Sequence, residues 1–278
     1  MPAGLVARRS VGERSGLPDG ATDRPSLARR SGRRAGRRAM TGLSRWANGD
    51  LGAMRLLRIP GVFQPHNDSW MLAATLREHP PEAGDDVLDL CTGSGMLALQ
   101  AALLGARVTA VDISRRALLS AHLNARLNGV RVRTRRGSLF SGLEGERFDT
   151  IVSNPPYVPK PGDDELPERG PQRAWDAGAD GRALLDPLCE QVARHLRPGG
   201  SVFIVHSSVC GVDRTIEQLE HEGLETEVVA RWREPLGPRM RERVDELWAC
   251  GVLAHGAMEE EVVIVRGRLP AVVAEVAA

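Results

Sequence analysis

Asp86-Val-Leu-Asp-Leu90 runs directly into Cys91-Thr92-Gly93-Ser94-Gly95 and then into an apolar stretch ending at Leu104. A short apolar run closed by a glycine-rich turn reads as a buried strand, and the stretch after it reads as a helix. Arg107-Val-Thr-Ala-Val111 repeats the strand signal at once. Strands that alternate with helices predict a parallel sheet with right-handed crossovers, so this segment sets the fold class as α/β.

Downstream, Ser114 is placed to cap a helix reaching Leu127, with Leu119, Leu123 and Leu127 at i+4 spacing. Val130 to Thr134 and Phe148 to Val152 predict two further strands. Asp180 is a candidate cap for a long helix carrying Leu184, Leu188, Val192 and Leu196 as a stripe. Pro198-Gly199-Gly200 then turns the chain into a strand over Ser201 to Val205. A helix over about Val212 to Glu222 precedes two final strands, Glu225–Ala230 and Glu246–Leu253, which lack a helix between them and suit an antiparallel pair. Upstream, Asn67 or Asp68 is placed to cap a helix to about Glu78, with Pro80 and Pro81 beyond it. The expected organisation is an Arg-rich disordered segment over 1–50, a core domain over 56–255, and a tail over 256–278 with no assigned role.

The 278 residues carry a net charge of +1, unevenly spread. Residues 1–50 hold eleven Arg against four acids, while 36 of the 37 basic residues in the chain are Arg, Lys160 being the exception. That asymmetry fits an electrostatic arm for nucleic acid. It equally fits a compositional bias, and Met40 or Met54 would also serve as a start. Cys91, Cys189, Cys210 and Cys250 show no ligand pairing, which predicts reduced thiols in a cytoplasmic protein and no metal. No run of 18 apolar residues predicts a membrane span.

The glycine turn beyond the first strand is where a parallel sheet receives ligands. Asp112 closes the second strand 19 residues after Gly93, where a carboxylate accepts hydrogen bonds from the hydroxyls of an adenosine ribose. Asp89 either contacts the ligand or braces the loop through backbone N–H groups. Gly93-x-Gly95-x-x-Ala98 also satisfies a dinucleotide fingerprint, so the loop alone leaves a nicotinamide cofactor open.

Asn154-Pro155-Pro156-Tyr157, at the end of the strand beginning at Phe148, is the most specific signal. Two prolines fix φ and remove two donors, which stiffens the turn and aims the Asn154 side chain and the Pro155 carbonyl into one crevice. An amide or aromatic amine is a poor nucleophile because its lone pair is delocalised. Two acceptors that hold both of its N–H bonds position the nitrogen for attack on a methyl group, and Tyr157 offers a ring to stack on the planar group.

These residues resemble the HemK-type class I methyltransferases. The similarity runs from about Val62 to Leu253 and covers Asp89 to Gly95, Asp112, Asn154 to Pro159, Ala174-Trp175-Asp176-Ala177-Gly178 and Asp180-Gly181-Arg182. The resemblance implies a mostly parallel seven-stranded sheet with an antiparallel last strand, and S-adenosylmethionine as cofactor. It implies as acceptor the glutamine side chain of a Gly-Gly-Gln motif in a release-factor-like protein. Carried over residue by residue, it places Asn154, Pro155 and Tyr157 in catalysis, with Pro156 and Trp175 joining them at the acceptor. The cofactor falls to Asp89, Thr92, Gly93, Gly95, Asp112, Ser138 and Asn154. Ser138 stands where the family usually has an acidic residue for the adenine. Val62 to Ser69 resembles the stretch that lies over the cofactor. Lys160 to Arg173 resembles a substrate flap in position, which would bring Arg169 and Arg173 with Trp175 toward the acceptor; a solvated loop is the alternative for the charged residues. The family's longer members carry an N-terminal helical domain; here only about sixty residues precede the core. Because Asn-Pro-Pro-Tyr also serves enzymes acting on adenine or guanine amino groups, methylation of RNA or DNA is the competing reading.

Overall fold

In a computed structural model, the described residues are 43–46 (backbone only), 54–162, 165–168 and 170–271. All lie within the compact unit Ala39–Ala278. The arm expected over residues 1–50 falls outside them, except for β1 (Leu43–Trp46), which pairs antiparallel with β2 (Met54–Leu57).

The main sheet is built from β3 (Asp86–Leu90), β4 (Arg107–Asp112), β5 (Val132–Arg136), β6 (Phe148–Ser153), β7 (Leu196–Ser207), β8 (Glu225–Pro235) and β9 (Glu259–Arg268), in the order β5-β4-β3-β6-β7-β9-β8. The pairs among β3 to β7 are parallel, and β9 runs antiparallel to both of its neighbours. This is the expected class I methyltransferase architecture. The order reverses between β3 and β4 on one side and β6 on the other, which opens a crevice at the strand ends carrying Cys91, Asp112 and Asn154.

Helices cover both faces because side chains alternate across each strand. Val87, Val108, Val152, Phe203 and Ile264 pack against α1 (Asn67–Glu78), α2 (Met96–Leu103) and α3 (Arg115–Leu127). Leu88, Leu90, Ile151, Ile204 and Val263 pack against α4 (Leu185–Val192) and α5 (Val212–His221) on the other face. Ser114 caps α3 as expected, its hydroxyl accepting from the Ala117 N–H at 3.3 Å.

Four expectations are corrected. Asn67 and Asp68 lie inside α1, whose N-cap is His66 with no side-chain bond. The long helix from Asp180 is shorter: the Asp180 carboxylate takes the Arg182 N–H in a local turn, and α4 begins at Leu185. Glu246–Leu253 is not a strand; Val244–Ala249 forms α7, after the short α6 (Pro238–Arg241). The last strand comes instead from 259–268, inside the segment set aside as a tail, so the sheet extends past the expected boundary at 255. Three consecutive acids, Glu259 to Glu261, disguise a strand whose Val262 to Val265 run is wholly buried between β7 and β8. Among the described residues, no helix is long and apolar enough to cross a membrane.

Candidate active site

Two cavities open at the crevice. The first, about 560 Å³, is lined by Gly61 to Phe63 above, Cys91 and Gly93 below, Asp112 to Ser114 and Gly137 to Leu139 beside, and Asn154 and Pro156 at its inner end. The second, about 780 Å³, is lined by Asn154 to Val158, Asp68, Trp175 and the β8–β9 connection. They share Val62, Phe63, Asn154, Pro156 and Ala174. Asn154 thus stands on the boundary between the two cavities.

In the first cavity, Asp112 Oδ2 accepts the Gly93 N–H at 3.0 Å and Oδ1 accepts the Ser114 N–H at 2.8 Å. Burial raises its pKa, opposed by these backbone donors. Each oxygen keeps acceptor capacity toward the cavity. Gly93 has φ +53° and lies on the cavity floor, where an added Cβ would stand 3.7 Å from Phe63 Cβ. Ser138 is exposed on the wall, and Arg173 reaches this cavity rather than the second. Arg169 lies outside the described residues.

Asp89, Thr92 and Gly95 stand behind the loop and do not line this cavity. Asp89 Oδ2 accepts from Thr92 Oγ1 at 2.5 Å and from the Ala98 N–H at 2.9 Å, which ties the turn to the start of α2. Gly95 has φ +82°, and a Cβ there would fall 2.5 Å from Ala121 on α3. Its missing side chain lets two helices approach.

In the second cavity, the Asn154 side chain donates through Nδ2 to Ser69 Oγ at 2.9 Å. Ser69 Oγ donates in turn to Asp68 Oδ1 at 3.2 Å, and the Tyr157 hydroxyl donates to Asp68 Oδ2 at 3.0 Å. With its nitrogen held, Asn154 presents Oδ1 as an acceptor. Burial first, then the neighbouring Asp68 charge, pushes the Tyr157 phenol well above its usual range, so it stays protonated. Trp175 forms a wall, with the Arg239 guanidinium 4.3 Å from its ring centroid. Its segment is fastened through Val158 N–H to Trp175 O at 2.8 Å and an Asp176–Arg243 ion pair at 2.8 Å.

Comparison with known proteins fits this geometry. A family model, the Methyltransferase small domain, matches residues 53–165. A putative protein N5-glutamine methyltransferase of Methanocaldococcus jannaschii is 33% identical over 187 residues, covering 67% of this chain and 92% of that protein. The chain belongs to the HemK-type methyltransferases. A release factor glutamine methyltransferase of Mycolicibacterium smegmatis is 38% identical over 181 residues, and there the match covers 62% of this chain and 63% of the relative. Among solved structures, the T. thermophilus 16S rRNA N2 methyltransferase with AdoMet and guanosine aligns at TM-score 0.55 and 22% identity, over 82% of this chain and 51% of that one. The E. cuniculi complex responsible for methylation of the eRF1 translation termination factor aligns at TM-score 0.52 and 21% identity, over 75% and 98%. At these identities the solved structures speak for the fold.

In this HemK-type methyltransferase, the Asp180-Gly181-Arg182 segment packs behind the Asn154–Tyr157 turn. A Cβ on Gly181 would lie 2.5 Å from the Tyr157 carbonyl oxygen. Arg182, only 2% exposed, donates to Asp186, to the Cys210 and Gly211 carbonyls, to Thr215 and to Gln218, locking α4 to α5. Sequence reasoning missed Ser69 and Asp68 as partners of the Asn154–Tyr157 turn; the available sign was two polar residues on the first turn of a helix. His66 packs edge-on against Phe63 with ring centroids 5.3 Å apart, and among the described residues no cluster of His, Cys, Asp or Glu is suited to hold a metal.

Proposed function

We propose that this chain transfers a methyl group from S-adenosylmethionine to the side-chain amide nitrogen of a protein glutamine, in a release-factor-like acceptor. The observation that carries the reading is Asn154: it stands where the two cavities meet, with its nitrogen held by Ser69 and its oxygen left to accept. The names of two relatives, a putative protein N5-glutamine methyltransferase and a release factor glutamine methyltransferase, support the same acceptor class.

The first cavity suits the cofactor. Asp112 is placed for ribose hydroxyls, Ile113 and Leu139 give apolar walls for a purine, and Gly93 admits close approach. Ser138 is the side chain available to the purine's amino edge. When bound, the cofactor supplies an electrophilic methyl group. The chain's own part is to orient and shield. Asn154 Oδ1 and the Pro155 carbonyl accept the two amide N–H bonds, which fixes the nitrogen lone pair toward the shared wall between the cavities. The same oxygens stabilise positive charge developing on nitrogen. Tyr157 is held protonated by burial first and by the neighbouring Asp68 charge after it, so it serves as a ring surface and not as a base. Once nitrogen is alkylated its proton is acidic, and water suffices to remove it.

The test is label transfer from radiolabelled S-adenosylmethionine into a lysate lacking this gene, divided between protease and nuclease digestion. Label lost to protease supports the glutamine reading. Label lost to nuclease overturns it in favour of an adenine or guanine acceptor.

A further inference from the structure

Four carboxyls line the second cavity, namely Asp68, Glu234, Glu242 and Glu260. Three are committed. Asp68 accepts from Tyr157, Glu234 Oε2 accepts from Asn67 Nδ2 at 3.1 Å and from Trp232 Nε1 at 3.4 Å, and Glu242 pairs with Arg239. Glu260 differs. It sits directly opposite Glu234 in the β8–β9 register and is only 7% exposed. Its Oε1 accepts the Gly237 N–H at 3.0 Å, while its Oε2 is buried with no hydrogen bond. A buried acceptor without a partner is costly, so native folds keep few of them. Two arginines line this cavity: Arg239 is engaged by Glu242 and Trp175, and neither Arg239 nor Arg241 bonds Glu260. Burial, and after it the charges of Glu234 and Asp68, raise the Glu260 pKa; the Gly237 N–H opposes the shift, as does the Ser207 hydroxyl, which lies beside the carboxyl but outside hydrogen-bond geometry with it.

We propose that Glu260 Oε2 is an acceptor-binding group that receives a nitrogen-borne hydrogen from the polypeptide carrying the methylated amide. The inference rests on the reading of this cavity as the protein-acceptor site. The hydrogen comes either from a peptide N–H or from a cationic side chain flanking the methylated residue.

The test compares wild type with Glu260→Gln, which keeps an oxygen for Gly237 and turns the free atom into a donor. Transfer is measured into purified release factor and, in parallel, into the protein fraction of the gene-deficient lysate. The release-factor arm tests acceptor identity with wild type alone, and Glu260 is read in whichever arm labels. The expected result is a KM for the protein acceptor raised about tenfold. kcat, cofactor affinity and Tm should stay at wild-type values. An unchanged KM overturns the proposal, as does a lowered Tm with no change in KM. Acceptor variants in which flanking Lys or Arg become Ala separate the two sources: the Glu260→Gln effect disappears with them for a cationic donor and persists for a peptide N–H.

Discussion

Asn154 donates its side-chain N–H to the hydroxyl of Ser69 at 2.9 Å, joining the end of β6 to the first turn of α1 across 85 positions of sequence. Without that bond the Asn154 amide can rotate, and its oxygen no longer points at the acceptor by default. Ser69→Ala is therefore expected to lower kcat by about ten- to a hundredfold, as misplacement of a reacting group does. The cofactor Kd should be unchanged, because Ser69 does not line the first cavity. Equal loss of cofactor affinity would show that Ser69 acts on the fold instead.

Gly181 has φ +78° and no room for a side chain beside the Tyr157 carbonyl. Gly181→Ala combines a left-handed alanine with overpacking, together about 2–5 kcal/mol. Thermal melting should show Tm lowered by roughly 4 °C or more. Activity of the remaining folded enzyme should also fall, since the strain is relieved by moving the acceptor turn. An unshifted Tm would mean the turn yields freely.

Asp89 gives the pH dependence. Burial pushes its carboxyl up to about 7, against 3.8 normally, and the Thr92 and Ala98 donors offset this in part. With the folded value above the unfolded one, the folded state binds the proton more tightly. The stabilisation is complete below about pH 4 and is lost as pH rises through about 7. Asp89→Asn imitates the protonated acid and does not titrate. The Tm of wild type minus that of Asp89→Asn should therefore fall as pH rises across that window. A difference that is flat or rises with pH would contradict the assignment.

The central strands were legible because burial on both faces leaves continuous apolar runs with sharp glycine ends. Asp86–Leu90 has the bounds expected from sequence, and β4 and β6 each extend one residue further. Asn154 to Tyr157 and Asp112 were legible as cavity residues because each stands at a strand end. What was hidden depends on contacts distant in sequence. Glu260 reads as part of a solvated acidic run until β9 is seen inserted between β7 and β8. Leu247 and Trp248 read as strand because a short apolar run carries no decisive period. Gly95 reads as a ligand glycine until Ala121 is seen against it.

The most direct measurement is mass spectrometry of release factor after incubation with S-adenosylmethionine and either wild type or Asn154→Ala. Fragmentation should place one added methyl group on the glutamine of Gly-Gly-Gln for wild type. The variant should give at least about a hundredfold less product, in line with removal of one preorganised transition-state contact. Methyl on another residue, or full activity in Asn154→Ala, would contradict the account.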